Sequence, residues 1–244
     1  MPIVTTRCVV LQTHPYSDTS KILRLMTAGL GPLSVIARGA LRPKSRLSGV
    51  LEPFAEGMTT LYVKPNRDLH NLSDFELITE RQSLGRDLRR YAGASVLCEL
   101  VLRLAPAERD ERLFESLLHG LDSLVAADPA TVPGVALATI WRLVETLGFA
   151  PSLDVCASCG RSMVGEAAAF DVREASLFCR RCVPHGSLLP AEQVEALRRH
   201  AGGNATDEAP SGVQARLLVD FIRHHAAEGT RLRSLDFLLQ EETL

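Results

Sequence analysis

Up to about residue 79, apolar and polar positions alternate in short runs rich in β-branched side chains, the period of half-buried strands. Five such runs stand out: Val4 to Thr13, Lys21 to Thr27, Leu33 to Ala37, Met58 to Lys64 and, more weakly patterned, Asp74 to Thr79. His14-Pro15, Ala28-Gly29-Leu30-Gly31-Pro32, Arg42-Pro43 and Pro65-Asn66 supply the turns between them. Five short strands in this order predict a small OB-like barrel. After about Glu80 the period lengthens. Ala94, Leu97, Cys98, Val101 and Leu104 fall on one helix face, and Leu113, Phe114, Leu117, Leu118, Leu121, Leu124 and Val125 on another, ended by Asp128-Pro129. A third helix opens at Thr131 and Pro133, runs through Leu137, Ile140, Trp141 and Val144, and closes at Gly148. These three are expected to pack into one core. Helical spacing returns over residues 190–200 and 211–225, where Val213, Leu217, Leu218, Phe221 and Ile222 form an apolar face, while residues 201–210 read as a flexible connection.

At 244 residues the chain exceeds the usual size of one domain, about 100 to 150 residues, so more than one unit is expected. Apolar residues at 46% and charged residues at 23% suit a soluble globular protein. The start, Met1-Pro2-Ile3-Val4-Thr5-Thr6-Arg7, does not read as a charged leader followed by an apolar stretch. No apolar run approaches the roughly 18 residues of a membrane span, so none is expected.

Four of the six cysteines form two Cys-x2-Cys knuckles, Cys156-Ala-Ser-Cys159 and Cys179-Arg-Arg-Cys182, with 19 residues between them. A two-residue gap lets both thiolates of a knuckle reach one ion from a tight turn, and Gly160 suits that turn. Four sulfur ligands leave no open position for water, so the expected group is one structural Zn2+, not a catalytic one. Alternatives are buried free cysteines, a site that has lost its metal, or replacement of one thiolate by His185. Cys8 and Cys98 stand alone in apolar patterns and read as small core residues. So few cysteines, paired in this way, point to a reducing compartment.

The net charge of -2 conceals an uneven distribution. Residues 1–90 hold 13 Lys and Arg against 8 Asp and Glu, whereas the remainder holds 14 against 21. In the first 50 residues Arg7, Lys21, Arg24, Arg38, Arg42, Lys44 and Arg46 are opposed only by Asp18. The run Ser34 to Arg46 places four cations on a strand end and a loop holding Gly39 and Pro43. Cations on a loop project into solvent, where they can meet phosphates irrespective of base sequence. A solvated basic face is the plainer alternative.

Several short motifs then carry a resemblance: Tyr16-Ser17-Asp18-Thr19-Ser20-Lys21 before a strand, Thr27-Ala-Gly29-Leu-Gly31 as a turn, Ala37-Arg38-Gly39-Ala40 with Lys44-Ser45, and Leu51-Glu52-Pro53-Phe54. With the cysteine insertion and the length, they make the chain similar over its whole extent to the RecO family of bacterial DNA-repair mediators. The resemblance implies an α+β multidomain protein: an OB-like DNA-binding barrel over residues 1–80, a helical bundle over 81–152 and 186–244, and an inserted four-cysteine zinc module over 153–185. It also implies binding of single- and double-stranded DNA, strand annealing, cooperation with RecR and the single-strand-binding protein in recombinase loading, and a cytoplasmic, nucleoid-associated location. Carried onto this chain, DNA contact falls to Lys21, Arg24, Arg38, Arg42, Lys44 and Arg46, together with Arg7. Aromatic residues are only 5% of the chain, so base stacking is expected to be limited and phosphate electrostatics to dominate.

No phosphate-binding Gly-x-x-x-x-Gly-Lys-Ser/Thr loop, Gly-x-Ser-x-Gly elbow or His-Glu-x-x-His helix occurs, so no enzymatic activity is expected. The competing expectation is a zinc-ribbon adaptor that docks proteins and does not anneal DNA.

Overall fold

The computed structural model describes residues 2–64, 67–183, 187–204, 212–226 and 232–235. The chain forms two compact units, Met1–Val125 and Ala126–Leu244.

In the first unit, strands β1 (Ile3–Ser17), β2 (Ser20–Thr27), β3 (Gly31–Ala37), β4 (Glu56–Tyr62) and β5 (Leu69–Thr79) close into a barrel of order β1-β2-β3-β5-β4. Every pairing is antiparallel except β3 with β5. This is the five-stranded OB topology that the strand pattern predicts. Alternation fills the interior with Cys8, Val10, Leu23, Leu25, Val35, Ala37, Leu61, Leu72 and Phe75. β1 runs four residues beyond the expected Thr13, because its exposed tail still pairs with β2 down to Ser17 opposite Ser20. β5 begins at Leu69, ahead of the expected Asp74, through its ladder to β3.

A 3-10 turn (Gln82–Arg86) leads into α1 (Leu88–Leu104), capped where the Asp87 carboxylate accepts the Arg90 N–H at 2.9 Å. Asp110 caps α2 (Glu111–Ala126) in the same way through Leu113 N–H. α1 packs on β1. Arg90 joins α1 to α2 by donating to the carbonyls of Leu124 and Val125 at the end of α2.

One buried ionic cluster ties this unit together. Glu56, at the first position of β4, is 6% exposed and accepts from Arg7 at 2.8 Å and from Arg81 at 3.0 Å. Arg81, 1% exposed, also donates to the Phe54 carbonyl at 3.1 Å and to Asp122 of α2 at 2.7 Å. Phe54 has φ 73°, a left-handed conformation that costs a non-glycine residue roughly 1–2 kcal/mol. Its N–H donates to Val10 while its carbonyl is held by Arg81, so both sides of the strained peptide are fixed.

The second unit holds α3 (Val132–Thr146), α4 (Ala191–Ala201), α5 (Gly212–His225) and a three-stranded sheet, β6 (Ser152–Cys156), β8 (Ser176–Cys179) and β7 (Ala168–Asp171), in the order β6-β8-β7. α3 stops just before Gly148, whose φ of 94° matches the closure expected there. Of the three helices expected to share a core, α1 and α2 belong to the first unit and α3 to the second. Trp141 of α3 meets Phe221 of α5 with ring centroids 4.9 Å apart. Arg198 on α4 donates to the Leu153 carbonyl and Asp154, and a ring nitrogen of His225 on α5 lies 2.6 Å from the Val172 carbonyl, so two helices grip the sheet. Among the described residues no helix is long and apolar enough to cross a membrane.

Removing Arg81 leaves Glu56 buried with only the half-exposed Arg7 as partner. Arg81→Met is expected to lower the unfolding free energy by about 3 kcal/mol in urea denaturation, the scale for breaking a buried ion pair. A loss under about 1 kcal/mol, ordinary for a surface substitution, would contradict the role given to this cluster.

Candidate nucleic-acid interface and metal centre

The connection from Arg38 to Ala55 between β3 and β4 is 18 residues of consecutive turns. Loops beyond roughly 12–15 residues without regular structure are uncommon in compact domains and are usually functional or disordered. This one is anchored. Its Leu41 N–H donates to the Thr19 carbonyl in the β1–β2 turn, and Arg42, Ser45 and Ser48 close successive turns onto Gly39, Arg42 and Ser45. Gly39 has φ 73°, which the first of these turns requires and a side chain would strain. Ala40 and Leu51 are buried in the barrel core, with Leu47 and Val50 packed against it.

With the apolar residues turned inward, the cations face out. Arg38, Arg42, Lys44 and Arg46 are all exposed on this loop, and Arg24 is exposed on β2 between Gln12 of β1 and Ser34 of β3. Among the described residues none of these five forms an ion pair. The remaining two candidates are placed differently. Lys21, half-buried opposite Ala37, donates to Glu52 at 2.8 Å and so fastens the far end of the loop to β2. Arg7 is held by Glu56 and by Glu115 at 3.2 Å, with its guanidinium over the Phe114 ring. Both charges are already balanced by carboxylates 31 to 108 residues away in sequence, contacts that no local pattern announces.

In the second unit β6 and β8 end at Cys156 and Cys179, and their parallel pairing sets the two knuckles side by side. In the first knuckle Gly160 N–H donates to the Cys156 carbonyl, with φ 69° at the glycine; in the second, Cys182 and Val183 N–H both donate to the Cys179 carbonyl. The ligand atoms of Cys156, Cys159, Cys179 and Cys182 all lie within 4.8 Å of one another. An ion about 2.3 Å from each of four tetrahedral sulfurs separates neighbouring sulfurs by about 3.8 Å. The Cys159 and Cys179 sulfurs are 3.8 Å apart, far beyond a disulfide bond. The cluster can therefore hold a metal ion.

The backbone favours the thiolate at one cysteine of each knuckle, Cys156 and Cys179, whereas Cys182 is shifted the other way. The Cys179 N–H points at the Cys156 sulfur at 3.3 Å and, with further knuckle N–H groups, draws that thiol down to about 6. The N–H of Cys182 lowers Cys179 likewise. Burial instead pushes Cys8 and Cys98 up to about 12, leaving them inert thiols of the core, as their isolation in apolar patterns implies. His185 lies outside the described residues.

A barrel of OB topology with a basic outer loop, followed by helices and a four-cysteine cluster, defines a class: an OB-barrel protein with a module able to hold a metal ion. Comparison with known proteins makes this specific. Residues 1–81 match the family model "Recombination protein O N terminal" and residues 85–235 match "Recombination protein O C terminal". Similar proteins include the "DNA repair protein RecO" of Anaeromyxobacter sp. (strain K), 32% identical over 94% of this chain and 93% of the relative. That of Chlorobium limicola is 35% identical over 80% and 74%. The Exiguobacterium sibiricum protein is 36% identical over 71% and 68%. The chain belongs to the RecO family of DNA repair proteins.

Purified protein is expected to carry about one tetrahedral divalent ion per chain by elemental analysis, lost when Cys156 and Cys179 are both changed to Ser. A full complement in that double variant would contradict this ligand set.

Proposed function

We propose that the protein is a recombinational repair mediator that binds single- and double-stranded DNA through the phosphate backbone and anneals complementary strands without an enzymatic active site. The carrying observation is that Arg24, Arg38, Arg42, Lys44 and Arg46 are exposed with no carboxylate partner among the described residues, on a barrel where Arg7 and Lys21 are already paired. Annealing opposes two negatively charged backbones. Cations that neutralise phosphates release condensed counterions and reduce that repulsion, so no ATP is required. Because phosphates occur in both strand states, the same surface accepts the separate strands and the duplex product.

In this reading Arg24, Arg38, Arg42, Lys44 and Arg46 contact DNA. Lys21 and Arg7 contribute mainly by shaping the surface, Lys21 through the loop end and Arg7 through Glu56. The family resemblance supplies the partners: RecR, and the single-strand-binding protein whose coated DNA the recombinase must enter, in a bacterial cytoplasm at the nucleoid. The division of labour follows the sequence modules, 1–80 for DNA, 81–152 and 186–244 for helical packing and partner contact, and 153–185 for the metal. Four thiolates within 4.8 Å of one another suit one Zn2+, held in this reading as a structural ion by Cys156, Cys159, Cys179 and Cys182. In small modules such an ion contributes on the order of 10 kcal/mol to folding at neutral pH.

The test is annealing of complementary oligonucleotides across a salt series, with the wild type and with Arg42, Lys44 and Arg46 all changed to Glu. Annealing by the wild type that fades with salt, and loss of most of it in the triple variant at every salt, is the expected result. Unchanged annealing in the variant would reject the loop as the DNA surface. Absence of annealing in both proteins would favour the adaptor reading.

A further inference from the structure

We propose that the groove beside Phe54 and Tyr91 in the first unit is a nucleobase pocket, which takes a base unstacked from a single strand held by the Arg38–Arg46 loop. This inference rests on the DNA-binding reading above. The groove has a volume of about 350 Å³, and Gly49, Val50, Phe54, Gln82, Gly85 and Tyr91 are among the residues that line it. Gly49, in the lining, is three residues from Arg46, so their backbones lie within about 11 Å of each other even for extended chain.

The lining fits a flat neutral ring better than an anion. Of its charged residues, Glu52 is paired with Lys21 and Arg81 with Glu56 and Asp122, while Glu80, which accepts from the Gln82 amide, keeps its negative charge. Arg86 is the one lining cation with no ion pair among the described residues. The apolar surface is aromatic: the Phe54 and Tyr91 rings meet edge to face at 5.7 Å and 74°. Phe54 is buried, but Tyr91 is 42% exposed and keeps an open face in a chain with few aromatic residues. Rings of this kind stack on any base, and Gln82 and Glu80 offer hydrogen-bonding groups to its edge. The left-handed backbone at Phe54, fixed by Val10 and Arg81, holds its ring in the wall.

A base in duplex is paired and stacked, and must be extruded before it can enter such a pocket. The pocket therefore distinguishes strand states that the phosphate-binding loop treats alike. It adds affinity for the single strand and releases the base as pairing with the complement begins.

The experiment measures affinity for a labelled single strand, for the same strand carrying abasic sites, and for the duplex, with the wild type, Tyr91→Ala, Tyr91→Phe and Gly85→Trp. Gly85 lines the groove and a side chain there meets nothing within 4 Å at its first carbon, so a tryptophan introduced to occupy the groove removes no contact. Tyr91→Ala and Gly85→Trp are expected to weaken single-strand binding about 5- to 10-fold and to leave duplex binding within about 2-fold, while Tyr91→Phe binds like wild type. The abasic strand should bind wild type as weakly as the intact strand binds Tyr91→Ala, with no further loss when the two are combined. Equal losses on single strand and duplex, or an abasic strand that binds as well as the intact one, would overturn the pocket while leaving the loop reading intact. A wild type that binds no DNA would overturn both. If Tyr91→Ala melts well below wild type, Gly85→Trp decides the question.

Discussion

A carboxylate buried between two guanidinium groups organises the amino-terminal unit. Glu56 stands where the long β3–β4 connection re-enters the barrel, and a charge withdrawn there from water is tolerable only because Arg7 and Arg81 both reach it. Arg81 spends its other donors on the Phe54 carbonyl and on Asp122, so one side chain joins the connection, the barrel and α2. The strained peptide at Phe54 and the end of the basic loop follow from that anchoring. A loop held so firmly at its base can present like charges close together without collapsing onto nearby acids.

The second unit meets a different constraint with the same logic. Its strands β6, β7 and β8 are only four or five residues long, too short to bury much surface. Order comes instead from the convergence of four sulfurs, with N–H groups of the knuckles directed at them, and from the grip of Arg198 and His225. In both units, then, polar groups fix the geometry of segments that apolar packing alone would leave loose. In the first unit this yields an outward basic surface, and in the second a compact metal-binding module.

The barrel strands and the helices were legible because burial imposes a period on the sequence, 2 in the strands and 3.6 in the helices, and residues such as Leu23, Leu25, Val35 and Leu117 obey it. The four cysteines were legible because ligation imposes a spacing. What stayed hidden is non-local. Nothing near Arg7 or Lys21 in sequence reveals Glu56, Glu115 or Glu52, so a plain count of cations overstated the charge left free at the barrel surface. Strands β6 to β8, four or five residues long, are too short to repeat the strand period often enough to disclose them. The groove at Tyr91 combines residues from three separate segments, and no local sequence pattern announces it.

The account stands on phosphate neutralisation by a countable set of side chains, and the salt dependence of single-strand affinity tests it most directly. With five cations engaged, the logarithm of the association constant should fall against the logarithm of salt concentration with a slope of about -3.5. Binding that is indifferent to salt, or absent even in dilute buffer, would contradict it.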